Sequence, residues 1–233
     1  MKSMLERARQ IIEEISKETD SIILMHSLSG KDSIALLDLV YPHFKRIVCV
    51  FMYIVPNLEH INAYYRYAKA KYPNTEWLQV PHYAWYNYRK CGYLGMEKDE
   101  SQKQWKLSDI IEVVRQRTGI EWCCLGFKQS DGLYRRLMLR SYKDGKESIC
   151  WKGKKFYPLS TYKNADIIEY ILKNKLKRPE RYGGQSQSSG TDVTDYYYLK
   201  YLETKFPEDA EKLYNVFPAA RFIVPDYESR RGV

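Results

Sequence analysis

The chain predicts an α/β protein, a parallel doubly wound sheet with a small C-terminal helical lobe. Three observations carry this. Short apolar runs without polar alternation recur, as strands buried on both faces require. Segments with apolar residues at helical spacing separate them. Pro and Gly punctuate the junctions between the two kinds of segment. The alternation strand, helix, strand, helix, strand points to right-handed crossovers within one sheet.

The elements follow in order. Leu5, Ala8, Ile11, Ile12 and Ile15 recur at helical period behind a capping-box spacing at Ser3–Glu6, which gives a helix to about Lys17. Ser21–Met25 is a buried strand, and a turn at Ser29-Gly30 leads into a helix from Lys31 that Pro42 ends. Arg46–Tyr53 is a second strand, Asn57 is placed to cap the next helix, and Trp77–Pro81 is a third strand. The aromatic and charged stretch from Tyr83 to Leu107 has no clear period. Leu107–Thr118 is a helix stopped by Gly119, Ile120–Phe127 a fourth strand and Leu133–Arg140 a basic helix. Ser148–Leu159 reads as a hairpin turning at Lys152-Gly153, followed by a helix over Ala165–Leu172 and a Gly/Ser/Gln-rich loop from Gly183 to Gly190. Helices at Tyr196–Thr204 and Pro207–Val216 precede a basic, mobile tail. The division expected is an α/β domain over residues 1–180 and a helical extension over 181–233.

Composition narrows the class. The 233 residues are 44% hydrophobic and 29% charged, which suits a globule with a sizeable core. The longest apolar run, Ile47–Val55, is about half of what a bilayer span needs. The charged start reads as an amphipathic helix and not as a signal peptide, and five scattered Cys make no disulfide framework. A cytoplasmic location is expected, with no membrane partner. The net charge of +9 attracts polyanions, either nucleic acid or a nucleotide's phosphates. The 22 Tyr, 5 Trp and 7 Phe offer stacking surface but are more often core.

The most informative stretch is Leu24–Ser33, where a buried strand runs through a small-residue turn straight into a helix. The first amides of a helix have no internal acceptor and act as anion donors. Gly30 allows close backbone approach, Ser27, Ser29 and Ser33 bring hydroxyls, and Lys31 adds charge. Asp32 repels phosphate, so its expected work is to cap the helix or hold Mg²⁺. The bland reading is an ordinary N-capped helix.

Ser29-Gly30-Lys31-Asp32-Ser33 resembles the Ser-Gly-Gly-Lys-Asp-Ser pyrophosphatase loop (PP-loop) of the adenine nucleotide α-hydrolase-like enzymes. Within that superfamily, Trp122-Cys123-Cys124 and the segment Gly126–Asp131 with Arg135-Arg136 resemble phosphoadenosine phosphosulfate (PAPS) reductase-like proteins. Tyr157-Pro158-Leu159 before Asp166–Ile171 extends the resemblance, which spans roughly residues 20–185 in the family's order. It implies a Rossmann-like fold and ATP or a related adenine nucleotide, with Mg²⁺. It also implies attack at the α-phosphate with pyrophosphate leaving, of the ATP pyrophosphatase, adenylyltransferase or sulfur-transferase type. Lys31, Lys128 and Arg135 take the catalytic positions. Ser27, Ser29, Gly30, Lys31, Asp32, Ser33, Gly126 and Arg136 take the nucleotide-binding ones.

The chain also departs from the family. The family's first Ser falls at Leu28 and its first Gly at Ser29, with Ser27 the stand-in hydroxyl. PAPS reductases carry a nucleophilic Cys near their end, whereas the last Cys here is Cys150, so thiol-dependent PAPS reduction is not expected. Cys123 and Cys124 remain candidate reactive thiols, with one of them expected to face the cleft. No metal-ligand spacing is found among the Cys or the four His. Two other readings stay open: a nucleotide-sensing or partner-binding module without turnover, and a basic protein working with nucleic-acid modification. A nucleic-acid or protein partner and a homo-oligomer are both compatible with the sequence.

Overall fold

The computed structural model describes residues 2–142, 148–182 and 192–232. Along the chain, α1 (Lys2–Ser16) leads to β1 (Ser21–Met25), α2 (Lys31–Val40), β2 (Arg46–Tyr53), α3 (Glu59–Lys71) and β3 (Thr75–Pro81). Then come α4 (Tyr83–Cys91), α5 (Leu107–Thr118), β4 (Cys123–Cys124), α6 (Leu133–Arg140), β5 (Ile149–Cys150) and β6 (Lys155–Phe156). The last elements are α7 (Asn164–Lys173), α8 (Tyr196–Lys205), α9 (Pro207–Val216) and α10 (Ile223–Arg231). The strands form one sheet in the order β3-β2-β1-β4-β6-β5, parallel except for β5, which runs against β6 at the edge.

Period-two side chains explain why helices cover both faces. Ile22 and Leu24 of β1 join one buried cluster with α1, α2, α3 and α7, while Ile23 and Met25 join another under α5 and α6. Cys124 and Cys123 part in the same way, one to each cluster. The C-terminal helices share the first cluster through Tyr198, Leu199, Leu202, Leu213 and Phe217, so they pack on the α/β layer directly. Among the described residues no helix is long and apolar enough to cross a membrane.

Four details differ from the sequence expectation. The fourth strand pairs only over Cys123–Cys124: of its flanks, Trp122 O accepts a single bond from Ile23 N–H of β1 and Leu125 N–H donates a single bond to Phe156 O of β6. Tyr83–Cys91 is a helix within the aperiodic stretch, begun by His82, whose Nδ1 accepts from Ala84 N–H, and ended by Gly92 at φ 67°. Asn57 does not cap α3 and sits at φ 56°. The cap comes from Asp209 of α9, which accepts from Glu59 N–H at 2.8 Å and His60 N–H at 3.1 Å. The tail forms α10, with Pro225 in its first turn, where a missing N–H is harmless. The Gly183–Gly190 loop lies outside the described residues.

Candidate functional site

The chain leaves β1 through α2 toward β2 on one side, while β4 lies on the other side of β1. Such a reversal of strand order opens a crevice at the carboxyl ends of the strands, where ligands of open α/β sheets sit. The loop 26–30 leaves β1 at that edge, and the loop 125–132 leaves β4 at the same edge.

The first loop is a tight turn fixed by its own polar groups. Ser27 N–H donates to Ser33 Oγ at 2.9 Å, and the Ser27 and Ser33 hydroxyls are 2.9 Å apart. Gly30 packs so closely that an added Cβ would lie 2.2 Å from Ser27 Oγ. Leu28 holds φ 58°, a conformation costing about 1–3 kcal/mol outside glycine. Two features offset that cost: the Leu28 side chain is buried, and its N–H donates to His26 Nδ1 at 2.9 Å. The His26 ring is therefore neutral with its proton on Nε2, which meets no partner, and burial pushes its pKa down to about 3. No side chain caps the N-terminus of α2, which leaves its first amides to the crevice.

The second loop is built from charge. Lys128, only 1% exposed, places Nζ 2.9 Å from Asp32 Oδ1 and 2.8 Å from Asp131 Oδ1. Asp131 also accepts from Lys128 N–H at 2.8 Å. On the other side of Asp32, Lys31 Nζ approaches Oδ2 at 3.2 Å. Lys31, Asp32, Lys128 and Asp131 thus alternate in sign across the crevice. The two loops lie side by side at Gly126, where a Cβ would sit 3.4 Å from the Asp32 Cβ, an ordinary contact distance.

These contacts place the sequence-predicted residues. Ser27, Gly30, Lys31, Asp32, Ser33, Gly126 and Lys128 come together, although about a hundred residues separate the two segments. Ser27 is exposed, whereas the Ser33 hydroxyl is occupied inside the turn and Ser29 is buried. Asp32 does not cap α2, because its carboxylate faces the two lysines. Arg135 does not join the cluster: its guanidinium lies over the Phe127 ring at 3.4 Å. Arg136 is exposed on α6. Neither candidate thiol faces the cleft, because the pleat buries Cys123 and Cys124 in opposite clusters. Burial pushes the Cys123 thiol up to about 12 and raises Cys124 as well, so neither supplies a thiolate near neutral pH.

Sequence reasoning named Asp131 and Leu28 only by their place in the resembling motifs and gave neither a structural role, and it missed the partnership of His60 with Asp209. Asp131 was legible as the acid three residues after Lys128. The His60 pair, 2.8 Å from Nδ1 to Oδ2, joins positions about 150 residues apart and left no local signal.

No protein-family model and no curated protein matches the chain. Among solved structures it is similar to the U34-tRNA thiolase NcsA from Methanococcus maripaludis with its 4Fe–4S cluster. That likeness has 15% identity and a TM-score of 0.53, over 96% of this chain and 78% of that one. The fold is shared. A second similar structure is the NH3-dependent NAD synthetase from Campylobacter jejuni, with 16% identity and a TM-score of 0.48 over 95% of each chain. The likeness to the thiolase is one of fold, a Rossmann-like α/β sheet that is mostly parallel.

Proposed function

We propose that the chain binds ATP or a related adenine nucleotide with its phosphates on the turn 27–33, and that the site serves attack at the α-phosphate with pyrophosphate leaving. The observation that carries this reading is the uncapped start of α2 at the switch point, behind a glycine where a Cβ would displace the Ser27 hydroxyl. Two lysines and two aspartates sum to no net charge there, so attraction for phosphate comes first from the amides. Lys31, on α2 itself, is the cation that meets the phosphates. Lys128 acts through Asp32 as a positioning residue, and Arg135 braces Phe127.

A single carboxylate beside a phosphate-binding turn suits Mg²⁺, which is usually held by one or two carboxylates together with substrate phosphates. Asp32 is the residue that would hold it, and the ion would supply neutralisation of phosphate charge. Among the described residues no group of three or more His, Cys, Asp or Glu could hold a metal ion by itself. The sealed Cys123 and Cys124 support chemistry other than thiol-dependent PAPS reduction.

Calorimetric titration of ATP with MgCl2 into the wild type and Lys31→Ala tests the site. Binding by the wild type, weakened about tenfold or more in the variant, supports it. No binding by the wild type overturns it. The internal engagement of Ser33 and Lys128 favours a second reading, a nucleotide sensor without turnover. Multiple-turnover pyrophosphate release over a panel of acceptors separates the two.

A further inference from the structure

We propose that the outer face of α6 docks a single-stranded nucleic acid beside the crevice. The helix starts after the Lys128 loop, at the carboxyl edge of the parallel strands. β5 runs against β6, so the chain re-enters the sheet from that same edge. α6 therefore belongs to a stretch that leaves and re-enters the sheet at the rim that carries the turn 27–33.

One side of this helix is anchored: Leu139 is fully buried and Arg135 lies on Phe127. Arg140, exposed on the opposite side, donates from Nε to Gln129 Oε1 at 3.1 Å, which orients its guanidinium at the surface. The outer arc is apolar and cationic at once. At 3.6 residues per turn, Arg136, Arg140, Leu133, Leu137 and Tyr134 fall side by side in that order around the helix. Leu133, Tyr134 and Leu137 are 68%, 82% and 60% exposed, which is unusual for side chains of this size. The helix carries three arginines and no acid.

Charge decides the occupant. A second copy of this face would bring Arg136 and Arg140 against their counterparts or against each other's surroundings, with no carboxylate on the helix to answer them. A polyanion with flat apolar faces answers both halves of the arc. Phosphates meet Arg136 and Arg140, while unstacked bases lie on Tyr134 and the two leucines. A single strand offers its bases in this way, and a duplex keeps them stacked inside.

Fluorescence anisotropy with a labelled 12-nucleotide mixed-sequence RNA, and the DNA of the same sequence, tests the proposal. Binding is expected at low salt and falls steeply as salt rises. Tyr134→Ala should weaken it about fivefold or more. The pair Arg136→Glu and Arg140→Glu should weaken it further and flatten the salt slope by about 1.4. The pair Arg117→Glu and Lys173→Glu makes the same change in net charge on other exposed helix positions and should have a much smaller effect.

Absence of binding overturns the proposal, as does equal weakening by the two charge-reversed pairs. Tighter binding of a poly-glutamate peptide overturns it in favour of an acidic protein partner. ATP titrations on the same variants keep the two readings apart. Lost oligonucleotide binding in Lys31→Ala is not expected, and lost ATP binding there does not touch this surface.

Discussion

The two loops of the crevice are held in opposite ways. The turn 27–33 is shaped by backbone fit: a glycine against a serine hydroxyl, a strained Leu28 and a histidine acceptor. The loop 125–132 is shaped by charge, with a buried ammonium between two carboxylates. Lys31 and Lys128 share Asp32, yet Lys31 is 12% exposed on one carboxylate while Lys128 is sealed between two. One lysine is placed to meet a ligand and the other to hold the site together.

The largest effect should come from Lys128→Ala. Removing the cation leaves Asp32 and Asp131 facing each other, and breaking a buried pair costs about 3–5 kcal/mol. The low end is expected because both carboxylates are partly exposed. Urea unfolding measures it, and a loss no greater than that of Lys31→Ala would break the contrast between the loops.

Acid should strike the backbone-shaped turn next. The pKa of His26 is near 3 when folded and about 6.5 when unfolded, so the unfolded chain takes up the proton first. The stability from a neutral His26 is fully present above about pH 6.5 and is lost as pH falls from there toward 3. The slope is about 1.4 kcal/mol per pH unit from this group. His82, lowered to about 4, and His60 add to it in the same direction. His26→Asn, whose side-chain oxygen can still accept from Leu28, should flatten unfolding free energies between pH 6.5 and 4. An unchanged slope would show that His26 does not report on the turn.

Gly30→Ala should cost less. The new methyl displaces the Ser27 hydroxyl and breaks its bond to Ser33, a loss of about 1 kcal/mol. ATP affinity should fall more than stability, because the displaced atoms surround the phosphate turn. The smallest effect on stability belongs to Lys31→Ala, at about 0–1 kcal/mol. Its nucleotide affinity should still drop, and a thermal shift with and without ATP records both quantities.

The regular half of the sheet was legible because β1 and β2 are unbroken apolar runs, and their bounds and those of α6 and α9 matched the sequence reading. The phosphate turn was legible because strand, small residues and helix are contiguous. Lys128 was reachable by topology, since parallel strands end at one edge, and its Nζ does reach Asp32. Its burial was not: Asp131 stands three residues further on, but the closure of its carboxylate and that of Asp32 over one ammonium is settled only in the fold. Arg135 went astray for a related reason: sequence spacing gave it a helix, but the preference of guanidinium for the Phe127 face gave it a direction. The α3 cap was illegible, because Asp209 arrives from the far end of the chain.

The edge position of β5 has a consequence for how such a chain can change. Because the chain beyond the Lys128 loop, from α6 to β5, starts from and returns to one rim of the sheet, it can be lengthened, shortened or exchanged without rethreading any strand. The turn 27–33 has no such freedom, since it sits between two central strands and an anchored helix. The molecule thus divides into a fixed socket and an interchangeable cartridge. Transplanting the segment that bears α6 between chains of this fold should redirect what is brought to the rim and leave the socket as it was.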